Sequence, residues 1–82
     1  MLSRAIVERE TSDLAGVILG RDDIKISTTG NAVGSGFVVK LRWADKFIEI
    51  PLSSADLTMT LDELSERILV PRIHNLKSAI AA

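Results

Sequence analysis

The residues in this sequence that carry acid-base, metal or nucleophilic chemistry are few. His74 is the single histidine, cysteine is absent, and the acids that stand close together are Asp22 and Asp23, then Asp62, Glu63 and Glu66. A structural zinc site needs about four ligands drawn mostly from cysteine and histidine, so these residues predict no metal centre. A Ser-His-Asp relay needs a histidine held between a nucleophile and an acid. Nothing in the spacing around His74 suggests one, and its position on a late helical turn reads as surface. Asp62 and Glu63 suit the first turn of a capped helix, where carboxylates meet the positive end of the dipole. Asp22 and Asp23 read as loop residues, since aspartate side chains bond their own backbone in turns. No catalytic residue, cofactor or metal is expected.

One run looks like a ligand loop. Thr29-Gly30-Asn31-Ala32-Val33-Gly34-Ser35-Gly36 is similar to the TGxxxGxG phosphate loop of short-chain dehydrogenases, and the resemblance covers these eight residues. In those enzymes the loop leads into a helix whose N-terminus faces the pyrophosphate, within a large parallel sheet. Here it leads into Phe37-Val38-Val39-Lys40-Leu41, which reads as a strand, and the chain is short for the rest of that fold. Two readings stay open for Gly30 to Gly36. The loop amides can form an anion nest that binds a nucleotide or other anion. Alternatively the glycines serve geometry, with Gly30 at positive φ in a hairpin turn and Gly34 and Gly36 outward, where another backbone or a helix approaches.

These residues need elements to position them. Leu2, Ile6, Leu14, Val17 and Ile18, with Val7 close by, fall on one side of a helical wheel, Arg4 with Glu8 and Arg9 with Asp13 are spaced as i,i+4 pairs, and Gly20 supplies a left-handed cap. Glu10 lies inside that arc, either at the edge of the core with its stem reaching water or as a buried acid. From Ile24 the period changes to two. Ile24 and Ile26 alternate with polar residues, and Phe37, Val39, Leu41 and Trp43 do so next. Ile48, Ile50 and Leu52 then share a side in a strand that Pro51 confines to an edge. A two-residue loop at Ala44-Asp45 sets Leu41 opposite Ile48, Val39 opposite Ile50, Phe37 opposite Leu52 and Lys40 opposite Glu49. A turn at Gly30-Asn31 sets Ile24 opposite Phe37.

Thr60 with Glu63 forms a capping box, and Met59 with Leu64 a hydrophobic staple, so a helix starts at Leu61. Its stripe Leu61, Leu64, Ile68 is followed by a second, Ile73, Leu76, Ile80, rotated by about a quarter turn, with Pro71 between them. The expected fold is a single α+β domain over residues 1–82. It has an N-terminal helix, a three-stranded antiparallel β-meander and a C-terminal helix kinked or broken at Pro71, with both helices on one sheet face.

Ten Lys and Arg balance eleven Asp and Glu, with no basic arm or acidic tail, which argues against strong bulk attraction to nucleic acid. No apolar run reaches the roughly 18 residues of a membrane span, and the charged N-terminus lacks a secretory apolar segment, so a cytoplasmic protein without membrane contact is expected. The leading expectation is a small non-enzymatic binding or assembly module, a homo-oligomer or the partner of another protein. Its interface is drawn from Val38, Phe47, Trp43, Lys40, Arg42, Gly34 and Gly36. Trp43 stands at a hairpin tip as either core lid or contact anchor. Besides the anion loop at Gly30 to Gly36, nucleic-acid binding through Lys25, Lys40, Arg42 and Phe47 is a further alternative.

Overall fold

A computed structural model describes residues 2–21, 23–30, 36–43 and 45–81, with residues 80–81 described for the main chain alone. Helix α1 (Arg4–Leu19) leads into strands β1 (Lys25–Gly30), β2 (Phe37–Trp43) and β3 (Lys46–Leu52). A short 3-10 turn at Asp56–Thr58 precedes α2 (Leu61–Leu64), a π-helical turn (Ser65–Leu69) and α3 (Val70–Ala81). The sheet runs in the order β1-β2-β3 and both strand pairs are antiparallel. α1 packs on β1 and on α3, and α3 packs on β3, so the helices lie side by side over one sheet face. Between them and the sheet sits a core that includes Val7, Val39, Leu41, Ile50, Leu64, Leu69 and Ile73.

α1 begins where the Ser3 hydroxyl accepts the Ile6 N–H and ends at Gly20, whose φ of 68° is the left-handed cap the sequence called for. Its buried face differs from the expected one. Val7, Thr11, Ala15 and Leu19 point inward, whereas Val17 is 82% exposed and Ile6 47% exposed. The helix is rolled by about a quarter turn, one residue's rotation, from the arc of largest side chains. Small residues explain the roll. Ala15 and Thr11 let the helix axis come close to its neighbours, and Thr11 loses nothing by burial because its hydroxyl donates to the Val7 carbonyl at 2.7 Å. The roll also moves Glu10 to a half-buried flank, off the core centre.

The β2-β3 register is the expected one throughout: Leu41 faces Ile48, Val39 faces Ile50, Phe37 faces Leu52 and Lys40 faces Glu49. The β1-β2 register is not. Phe37 faces Gly30 instead of Ile24, a slide of six residues, and Ile26 faces Leu41. The Gly30-Asn31 turn is therefore not formed, because β1 continues through Gly30 and the connection begins after it. An even slide keeps every side chain on its face, so the alternation of apolar residues could not distinguish the two registers. The observed one wins because β1 then pairs with nearly the full length of β2, and Ile26 and Thr28 sit over the same inner-face residues that β3 contacts.

After β3, Ser53 and Asp56 cap one another: Ser53 N–H donates to Asp56 Oδ2 at 2.9 Å and Asp56 N–H to Ser53 Oγ at 3.2 Å. This opens the 3-10 turn that buries Leu57, whose carbonyl accepts the Leu2 N–H and ties down the N-terminal segment. Thr60 Oγ1 accepts the Glu63 N–H and donates to the Glu63 carboxylate, so the helix starts at Leu61 as expected.

The interruption expected at Pro71 takes the form of the π-helical turn just ahead of it, after which the helix runs on through the proline. Val70 N–H donates to the Ser65 carbonyl, five residues back. A proline ring collides with the carbonyl four residues earlier, and one wider turn relieves that collision. The same turn inserts one extra residue, which rotates the following stripe back into line. Leu64 and Leu69, five apart, are both fully buried, and Ile73 and Leu76 continue the face. The two rotated stripes of the sequence are thus one buried face, with the side chain of Ile80 outside the described residues.

Candidate functional site

The helices leave the second sheet face open. Alternation along the three registered strands fixes its composition. Lys25, Arg42 and Phe47 stand side by side in one row, Ser27, Lys40 and Glu49 in the next, and Thr29, Val38 and Pro51 in the third. Phe47 is 64% exposed, the largest apolar side chain on this face, and Val38 is half-buried between its neighbours. An open concavity of about 840 Å³ covers the first two rows, bordered by Lys25, Ser27, Lys40, Arg42, Asp45 and Phe47. Among the described residues no hydrogen bond or ion pair engages the side chains of Lys25, Lys40 or Arg42.

Of the residues expected at the interface, Val38, Lys40, Arg42 and Phe47 share this face. Trp43 does not. It pairs with Lys46 on the helix-covered side, half-buried against the core, with the Arg21 guanidinium 4.8 Å over its ring. Arg21 is itself clamped by Asp23 through two hydrogen bonds of 2.9 and 2.8 Å, so the stacked cation lids the ring. Beside that guanidinium the Asp23 carboxyl is held below its ordinary pKa.

The close backbone approach expected at Gly36 is present, but it is made by this chain and leaves no opening there for a second molecule. A Cβ there would run into the Leu52 carbonyl, so the close approach is made within the sheet, by the end of β3. Gly30 lies in β1 without a positive φ, and a Cβ there would meet open space. Gly34 and the interior of the Gly30 to Gly36 loop lie outside the described residues.

On each sheet edge one main-chain carbonyl is capped by an arginine from a helix. In antiparallel ladders the carbonyls of an edge strand alternate between the partner and the free side. On β1, Arg4 from α1 donates Nη2 to the Thr28 carbonyl at 2.7 Å and Nε to Thr28 Oγ1 at 3.0 Å. The Thr28 hydroxyl in turn donates to Glu8 at 2.6 Å, so Arg4 and Glu8 meet through it across one helical turn. On β3, Arg72 from α3 donates Nη2 to the Glu49 carbonyl at 2.7 Å. No periodicity argument could find these contacts, which join residues twenty or more positions apart through single polar groups.

His74 is exposed on α3, and among the described residues no group of three His, Asp or Glu side chains could hold a metal ion. Glu63 is engaged by Thr60 and lies 3.8 Å from Arg67. No helix among the described residues is long and apolar enough to cross a membrane. What remains as a site is the outer sheet face, on an α+β domain whose helices both lie on the opposite side. Compared with known proteins, the chain matches no family model, no curated protein and no solved structure.

Proposed function

We propose that this protein is a non-enzymatic binding or assembly module that meets a second copy or another protein through the outer sheet face. The observation that carries this reading is the position of Phe47. It stands exposed in a row with Lys25 and Arg42, on a face that neither helix covers, with Val38 and Pro51 two rows away. Apolar side chains at the two ends of the face, with a charged row between them, give the mixture of apolar and charged groups found in contact surfaces.

Sedimentation equilibrium of the wild type and of Phe47→Asp tests the proposal. Association is expected to weaken by about 2 kcal/mol or more while the variant stays folded. A wild type that is monomeric at high concentration, together with a Phe47→Asp chain that unfolds, would place Phe47 in the core and end the proposal.

Nucleic acid is the second reading, favoured by one observation. Lys25, Arg42 and Phe47 lie adjacent across three strands, an arrangement in which cations can track phosphates beside a stacking ring. Retention on heparin that is lost at moderate salt is its signature, and no retention at low salt removes it.

A further inference from the structure

We infer that the partner of the outer sheet face is an acidic polypeptide segment carrying apolar side chains, held by Lys25, Lys40 and Arg42 with Phe47 as the apolar contact. The inference rests on the binding reading above and adds the chemistry of the occupant.

Charge is the first argument. Three cations on neighbouring positions of the face have no carboxylate in contact among the described residues, against Glu49 and Asp45 as the acids nearby. A second copy laid face to face offers those three cations only Glu49 and Asp45, which is less complementary than an acidic occupant.

The pattern of the face separates an acidic peptide from a nucleic acid. A phosphate backbone is a continuous line of charge, whereas here the cations occupy one corner. Glu49 interrupts the middle row, and the third row is Thr29, Val38 and Pro51. Discrete carboxylates spaced by apolar side chains fit that mixture. A stacking platform uses several aromatics, and this face has Phe47 alone.

The edges bear on how such a segment lies. Arg4 on the Thr28 carbonyl and Arg72 on the Glu49 carbonyl each occupy one acceptor of an edge strand, which favours an occupant that crosses the face through side-chain contacts over one that adds as a fourth strand.

The test is a titration of the isotopically labelled full chain, followed by amide and side-chain NMR shifts. Three probes are used: a glutamate-rich peptide with a central leucine pair, its glutamine counterpart, and an oligothymidylate of matched charge. The expected result is saturable shifts at Lys25, Lys40, Arg42 and Phe47 with the glutamate peptide, weakened by salt. Lys40→Glu combined with Arg42→Glu, both exposed and away from the core, should weaken binding about tenfold or more with an unchanged fold. Equal binding of the glutamine peptide at the same face would overturn the charge assignment while leaving the contact surface in place. Stronger binding of the oligothymidylate would overturn it in favour of nucleic acid. No shift on this face with any probe, in a chain that also stays monomeric, would end both the inference and the reading beneath it.

Discussion

Arg72 reaches from α3 across the rim of the sheet and donates to the main-chain carbonyl of Glu49 at 2.7 Å, capping one acceptor on the outer edge of β3. Arg4 does the same for β1 at Thr28. Each contact ties a helix to the strand beneath it and occupies an acceptor that a foreign strand would need. Replacing both arginines by alanine should cost about 1 kcal/mol for each charged hydrogen bond lost. It should also promote aggregation by edge pairing. Light scattering during long incubation checks this, and a double variant that stays as dispersed as the wild type would refute the edge-capping role.

The glycines should separate sharply by mutation. Gly36→Ala is expected to destabilise by about 2 kcal/mol or more, because the methyl group meets the Leu52 carbonyl and the sheet end must shift. Gly30→Val should change stability by no more than about 0.5 kcal/mol, since β1 is extended there and the space is open. Chemical denaturation of both variants gives the comparison, and a larger loss at Gly30 than at Gly36 would contradict the observed register.

Asp23 should titrate below the ordinary aspartate value of 3.8, because Arg21 hydrogen-bonds the charged form. A folded pKa that is lowered adds stability above the unfolded value and loses it as the pH falls through the folded one. This contribution is therefore complete at neutral pH and disappears in the acid range below 3.8. Carbon NMR of the Asp23 carboxyl follows the titration, and Arg21→Gln should return the midpoint to the ordinary value. An unchanged midpoint in that variant would remove the Arg21 clamp as its cause.

The π-helical turn should behave as a one-residue insertion that accommodates Pro71. Deleting the exposed Glu66 alone should cost about 3 kcal/mol, because the proline then meets the carbonyl four residues back in a regular helix. Combined with Pro71→Ala, the same deletion leaves Leu64 and Ile73 on one α-helical face and should restore stability to within about 1 kcal/mol of the wild type. Failure of the second change to rescue the first would show that the wide turn has another origin.

Much of this architecture was legible in the sequence because it rests on short-range rules. Thr60 and Gly20 at helix ends, strict alternation in the strands and the Leu41-Ile48 pairing each involve neighbours or a short loop. Two features were illegible for definite reasons. The β1-β2 register depended on loop length, and a slide from Ile24 to Gly30 opposite Phe37 leaves every face unchanged. The roll of α1 depended on how closely two helices approach, which favours Thr11 and Ala15 over the larger Ile6 and Val17. That Val38, Lys40, Arg42 and Phe47 share the outer sheet face followed from parity, whereas Trp43 has the parity of the covered face and was grouped with them only for its place at a hairpin tip. Gly36 had outward parity, and the expected pairing of Phe37 with Leu52 already set the end of β3 beside it, although spacing alone does not give the closeness of that approach.

That Phe47 stands free on a face no helix covers is tested most directly by urea unfolding of Phe47→Asp, at concentrations where the wild type sediments as a monomer. An exposed ring predicts a stability within about 0.5 kcal/mol of the wild type with the denaturant dependence unchanged. A loss of about 3 kcal/mol or more, the cost of removing a large side chain from a core, would contradict it.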